Sequence, residues 1–176
     1  MELYFTSDLH FGHKNIIDFC KRPFSDVNEM NQFIIDEWNK KVSDLDVVYL
    51  LGDVSFVSVN KTCNLLDQLK GEKYLIIGNH DKHFMKSDRF KDCFYGVYDY
   101  RELFIKDNLN ICLSHYPMSN WYNQRKGAWM LHGHTHGTRN HEVSYTNKIL
   151  DVGYDTGHFL YSVEDIAAYF EKQINM

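Results

Sequence analysis

Ten histidines in a chain of 176 residues is a heavy load, and six of them follow short apolar runs. Leu3-Tyr4-Phe5 leads into Ser7-Asp8-Leu9-His10, and Val47-Val48-Tyr49-Leu50-Leu51 leads into Gly52-Asp53. Tyr74-Leu75-Ile76-Ile77 leads into Gly78-Asn79-His80-Asp81. Ile111-Cys112-Leu113 runs into Ser114-His115, and Trp129-Met130-Leu131 into His132-Gly133-His134-Thr135-His136. Taken singly, each cluster is what turns and helix caps ordinarily use. Taken together, Asp8, His10, Asp53, Asn79, His115, His134 and His136 are oxygen and nitrogen donors with no thiol among them. A single tetrahedral site needs about four ligands, so this set suits two divalent ions, with a carboxylate such as Asp53 able to bridge them. Asp8 and His10 are two residues apart, as are His134 and His136, a spacing that points both side chains to one side of an extended segment. Gly133 permits a sharp exit from its strand, and Gly78 a tight turn that sets a ligand beside a titratable group.

Something must deliver these clusters to one place. The five apolar runs read as short buried strands bounded by glycine and polar residues, each carrying its cluster at the carboxyl end, where open α/β sheets place their ligands. Between them lie helices. Asp26 caps one, with Glu29 three residues on and Met30, Phe33, Ile34, Trp38 and Val42 on one face. A second is expected over about Asn60–Leu69, stopping at Gly71, and a last one begins at Ser162 with Asp165 three residues on. The first half is thus β-α-β-α-β. From Tyr95 to Tyr161 strands dominate, with a long loop at Pro117–Gly127. That mixture predicts two packed sheets flanked by helices.

The ordered series Asp8-x-His10, Gly52-Asp53, Gly78-Asn79-His80-Asp81, His115 and Gly133-His134-x-His136 resembles the calcineurin-like metallophosphoesterases. The likeness continues weakly into Asp151-Val152-Gly153-Tyr154-Asp155. The flanking text, Phe11-Gly12-His13 through Cys20-Lys21-Arg22-Pro23-Phe24, resembles a branch of small bacterial and phage phosphoesterases. The resemblance implies an α/β fold, a four-layer α-β-β-α sandwich of two mixed sheets. It also implies one ion on Asp8, His10, Asp53 and His136, a second on Asp53, Asn79, His115 and His134, and Asp53 as the bridge. His80 is then expected to face the scissile phosphate without binding metal, with Asp81 orienting it through a hydrogen bond. The implied chemistry is phosphoester hydrolysis with two divalent ions (Mn²⁺ first in assay, with Zn²⁺, Fe or Ni²⁺ as alternatives). His80 acts as general acid in that reading. A phosphodiester is favoured over an activated monoester because a poor alkoxide leaving group needs a proton most. The alternatives are a phosphomonoesterase or a non-catalytic scaffold on the same fold.

The remaining histidines and cations are weighed around that site. His13 either lines the pocket or lies on the surface. His132, alternating with His134 and His136, is expected behind the ligands, and His83, His141 and His158 on solvated loops. Arg22 either reaches a phosphate oxygen as a planar fork or is an exposed loop charge. Trp121 and Tyr122 either stack on a base or cover the edge of the core.

A formal net charge of −5 and a pI of about 6.0 exclude a global basic field for extended nucleic acid. A small phosphoester, nucleotide-type, is the expected substrate. Cys20, Cys63, Cys93 and Cys112 are scattered and predict free thiols in a reducing, cytoplasmic setting. The amino terminus lacks a basic start and an apolar stretch of signal-peptide type. No apolar run approaches a membrane span. No linker, repeat or charge block divides residues 1–176, so one domain is expected.

Overall fold

The computed structural model of the protein describes residues 1–105, 108–139 and 141–175. Strands β1 (Leu3–Thr6), β2 (Val47–Leu50), β3 (Glu72–Ile76) and β4 (Gly96–Tyr98) pair in parallel, and β9 (Tyr161–Ser162) adds antiparallel to β1. The order of that sheet is β4-β3-β2-β1-β9. The second sheet runs β5-β6-β7-β8, from β5 (Tyr100–Phe104), β6 (Asn110–Ser114), β7 (Trp129–His132) and β8 (Lys148–Asp151). Only the β5–β6 pairing in it is antiparallel. The architecture is therefore α/β, two mixed sheets flanked by helices.

The apolar runs lack polar alternation because both faces of the first sheet are covered. Tyr4, Val48, Leu50 and Leu75 pack toward the helices. Phe5, Tyr49, Leu51 and Ile76, the alternate residues, pack against Ile111, Leu113, Leu131 and Leu150 of the other sheet. On the far side of the second sheet, Cys112, Met130 and Ile149 are covered by Trp121 and Ala128. Trp121 is thus a core residue, and its Nε1 donates to the Ala128 carbonyl at 2.9 Å.

Helix α2 (Val27–Lys41) starts where expected, with the Asp26 carboxylate accepting from the N–H groups of Asn28 and Glu29. Its buried side is Met30, Ile34, Ile35 and Trp38. Phe33 departs from the expected face: it is 43% exposed at the edge of the stripe, against Phe24. Helix α3 (Val59–Leu66) ends one turn earlier than the sequence suggests, although Leu69 remains buried. Two short helices, α1 (Lys14–Phe19) and α4 (Asp88–Lys91), have no sequence periodicity long enough to announce them. Helix α5 (Val163–Ile174) carries the capping box: Ser162 Oγ accepts from Asp165 N–H, and the Asp165 carboxylate accepts from Ser162 N–H. It buries Ile166 and Phe170 against the inter-sheet core. Full burial of such a side chain contributes about 1.5–3 kcal/mol. No described helix is long and apolar enough to cross a membrane.

Candidate metal centre

The exits of β1, β2, β3, β6 and β7 converge, and the seven donors converge with them. Asp8, His10 and His136 place one ligand atom each within 4.8 Å of one another, and so do Asp53, His115 and His134. Asp53 joins the two groups: its Oδ2 lies 3.9 Å from His10 Nε2 and 3.6 Å from His115 Nε2. Asp8 Oδ1 lies 3.7 Å from both His10 Nε2 and His136 Nε2. Asn79 is brought in beside His115, with 2.9 Å between Asn79 Oδ1 and His115 Nε2.

The backbone at these positions is strained. Asp8, His10, Asp53, His134 and His136 all have φ between 48° and 68°, and they are five of the nine described non-glycine residues in the left-handed region. Each such residue costs on the order of 1 kcal/mol or more, and strain of this kind collects at functional sites. The turns are also tight. A Cβ on Gly78 would come within 2.3 Å of Asp53 Oδ1, and one on Gly133 within 2.4 Å of Asp8 Oδ2, so these carboxylates can approach only a glycine backbone.

Hydrogen bonds on the outer side of each ring decide what faces inward. His115 Nδ1 sits 2.7 Å from the Leu51 carbonyl, which can only accept; Nδ1 therefore carries the proton and Nε2 presents a lone pair. That lone pair meets the carbonyl oxygen of Asn79. His136 Nδ1 is likewise tied to the Asp155 carboxylate at 2.7 Å, turning Nε2 toward Asp8. Asp8 Oδ2 accepts from His134 N–H at 2.9 Å, but Asp8 Oδ1 and His10 Nε2 are buried with no partner. Orphaned, fully desolvated polar atoms are costly, and facing lone pairs repel. A cation relieves both conditions, so the residues present fit divalent ions.

Titration of the cluster points the same way. Burial alone would raise the Asp8 carboxyl, but His10, His136 and His115 around it hold it at about 2. Burial depresses His10 and His134, keeping them in the neutral, metal-binding form. His136 is the exception: Asp155 and Asp8 outweigh its burial and raise it, so an ion bound there has to displace its proton. Cys20 also approaches His136 and Asp155, but those two already satisfy each other.

Three expectations are corrected. Asp81 does not hold His80. It is fully buried, and its carboxylate accepts from the backbone N–H groups of Asp53, Val54 and Gly78 at 2.8–3.0 Å, stitching the β2 and β3 exits together. The physical reason is the tight Gly78 turn, which points Asp81 inward while His80, one residue earlier, points out. Arg22 neither reaches into the site nor lies exposed. It is buried, forming a fork on Asp155 (2.8 Å twice) and donating to the carbonyls of Asp8 and Leu9. His141 is not a free loop residue either, since its Nε2 lies 2.8 Å from Nε2 of the buried His132, whose Nδ1 meets the Gly133 carbonyl at 2.8 Å. His13 sits at the site, 3.0 Å from His10 through their Nδ1 atoms and stacked on Phe56 at 3.8 Å. His80 stands at the mouth, its side chain 47% exposed and its backbone N–H donating to Asp53 Oδ1. Tyr116 edges against His134 on the opposite rim.

Asp155, Asp151 and Phe56 escaped the sequence reading. Asp155 shows itself only through its partners, and Asp151 through Thr135 Oγ1 and the Gly137 and Gly153 N–H groups that it accepts from. The one sequence signal was the Asp151–Asp155 stretch after the last ligand.

Comparison with known proteins bears on this geometry directly. The family model described as Calcineurin-like phosphoesterase matches residues 1–155, the stretch that contains every residue above. The chain belongs to the calcineurin-like phosphoesterases. Relatives of this calcineurin-like chain include an uncharacterised protein of Methanocaldococcus jannaschii. It is 38% identical over 148 residues, spanning 83% of this chain and 76% of the relative. The Gene 66 protein of Mycobacterium phage D29 is 28% identical over 188 residues, with 93% of each chain covered. Among solved structures, a protein of unknown function from Aquifex aeolicus matches with a TM-score of 0.72 and 26% identity, covering 96% of this chain and 98% of its own. These matches support the small bacterial and phage branch. Family and clusters together identify a metal-dependent phosphoester hydrolase.

Proposed function

We propose that the protein is a binuclear phosphodiesterase acting on a small nucleotide-type substrate. The observation that carries the reading is Asp53 Oδ2 lying between His10 and His115, with His80 at the open mouth beside it. Asp8, His10, Asp53 and His136 would hold one divalent ion, and Asp53, Asn79, His115 and His134 the other. Mn²⁺ is the first choice for assay, with Zn²⁺, Fe and Ni²⁺ as alternatives. When bound, the ions supply a water of lowered pKa and neutralise charge on the phosphoryl oxygens.

The chain's own residues do the rest. The Leu51 carbonyl and the Asp155 carboxylate accept from Nδ1 of His115 and His136, turning Nε2 of both rings inward. His80, when protonated, donates from Nε2 to the departing oxygen, a contribution of about 10²–10⁴-fold. An alkoxide needs that proton, whereas an activated aryl oxide scarcely does, which is why an alkoxide-releasing diester is favoured over an activated monoester. The free thiols Cys20, Cys63, Cys93 and Cys112 suit a reducing, cytoplasmic setting.

The test is turnover of bis-p-nitrophenyl phosphate against p-nitrophenyl phosphate with added Mn²⁺, together with a dinucleoside monophosphate whose leaving group is an alkoxide. Preference for the diesters is expected. His80→Ala is expected to keep the metal content and lose about 10²-fold or more on the alkoxide substrate, and less on the aryl one. Equal losses on both would reduce His80 to phosphate binding. Preference for the monoester makes the protein a phosphomonoesterase, and no turnover with metal demonstrably bound makes it a scaffold.

A further inference from the structure

His80 has an unusual surrounding for a group asked to deliver a proton. Its ring forms no hydrogen bond with any described residue; the nearest carboxylate oxygen, Asp53 Oδ2, is 3.9 Å away. Asp81, the neighbour expected to steady it, is committed to three backbone N–H groups. A half-exposed imidazole without a polar partner samples several rotamers unless something apolar stops it. What lies against it is Phe56, with ring centroids 4.5 Å apart and planes at 48°. His10, the next ring, is 6.1 Å away.

Phe56 is itself held. Ser55 bridges to Phe11, and the Phe56 N–H donates to the Phe11 carbonyl at 2.8 Å. Ser55 Oγ donates to the same carbonyl and accepts from Thr62 Oγ1. The loops leaving β1 and β2 are thereby zipped together beneath the aromatic ring. The His13 ring then lies on Phe56 at 3.8 Å and 15°, and His13 is tethered in turn to His10. The result is a stack, His13 on Phe56, that ends against His80.

We propose that Phe56 is the positioning residue for His80, fixing its ring by aromatic contact in the orientation that faces the mouth of the site. The proposal rests on the reading of His80 as proton donor and deepens it. An apolar partner has a chemical advantage over a carboxylate here. It restrains the ring while leaving both N–H groups free for the substrate, whereas Asp81 in contact would hold one of them. Aromatic pairs of this geometry are weakly attractive but directional. Misplacing a catalytic group by about 1 Å can cost on the order of 10²-fold.

Phe56→Leu removes the ring and keeps most of the bulk; Phe56→Tyr keeps the ring. Two readouts are taken on Zn²⁺-loaded or Mn²⁺-loaded protein of verified metal content and melting temperature. The first is kcat and KM on the dinucleoside monophosphate and on bis-p-nitrophenyl phosphate. Phe56→Leu is expected to lower kcat on the alkoxide substrate by about 10-fold or more, with KM little changed and the aryl ester less affected, and Phe56→Tyr to restore it. The second readout is independent of turnover: ¹³C relaxation of the His80 ring in the diamagnetic Zn²⁺ form. The ring is expected to be ordered in the wild type and in Phe56→Tyr, and mobile in Phe56→Leu. An unchanged His80 order parameter in Phe56→Leu overturns the proposal. So does an equal loss on both esters with a raised KM, which would make Phe56 a substrate contact, or a loss of metal, which would route the effect through His10. His80→Ala run alongside separates the two layers. If it leaves alkoxide turnover intact, the acid reading of His80 has failed, and ring order alone then decides whether Phe56 positions it.

Discussion

Replacing Arg22 by Met distinguishes a structural cation from a phosphate-binding one. The guanidinium is 5% exposed, forks onto Asp155, donates to the Asp8 and Leu9 carbonyls, and lies 4.3 Å over the Tyr154 ring. Met fills much of the same volume but leaves Asp155 as a buried carboxylate with only His136 as partner. Breaking a buried pair from one side costs about 3–5 kcal/mol. The two stranded carbonyls fall within the same local collapse and are not added separately. For a chain of this size each kcal/mol moves Tm by about 2–4 °C, so a fall of about 6–20 °C is expected in thermal unfolding with chelator present. The pH dependence has a definite sign. The charges of Arg22 and His136 overcome the burial that would raise Asp155 and leave its carboxyl depressed. Its contribution is therefore complete above the ordinary carboxylate pKa of about 4 and lost as pH falls through the lower folded value. The wild-type advantage over Arg22→Met should shrink in that acid window. A stability change under about 1 kcal/mol, accompanied by a raised KM for the phosphoester, would refute this reasoning and return Arg22 to the substrate.

Asp53 is the donor shared by both clusters, so Asp53→Asn is expected to lower the content of both ions in elemental analysis, and to shrink the Tm gain that metal gives over chelator; loss of one ion only would separate the sites. Ser162→Ala removes the hydroxyl that caps α5 and should cost about 1 kcal/mol in urea unfolding without changing metal content.

Much was legible from residue type and order alone. Short β-rich runs ending in Asp, Asn, His and Gly fix where strands stop, because those residues favour the turn over the ladder. The donor chemistry of Asp8, His10, Asp53, Asn79, His115, His134 and His136 needs no coordinates to suggest two hard cations. The caps at Asp26 and Ser162 are local, three-residue patterns; both side chains cap their helices, and only Ser162–Asp165 closes a reciprocal box, since Glu29 accepts from Ser25 instead. What lay beyond the sequence was which polar group satisfies which. Asp81 and His80 are neighbours in the chain, yet the Gly78 turn sends one into the backbone of Asp53 and the other to solvent. Arg22 meets Asp155 across 133 residues, and Phe56 reaches His80 only because Phe11 and Ser55 bridge. Such pairings are set by desolvation: a buried charge or an orphaned N–H takes whatever partner the packed sheets bring within about 3 Å, and sequence separation does not enter that energy.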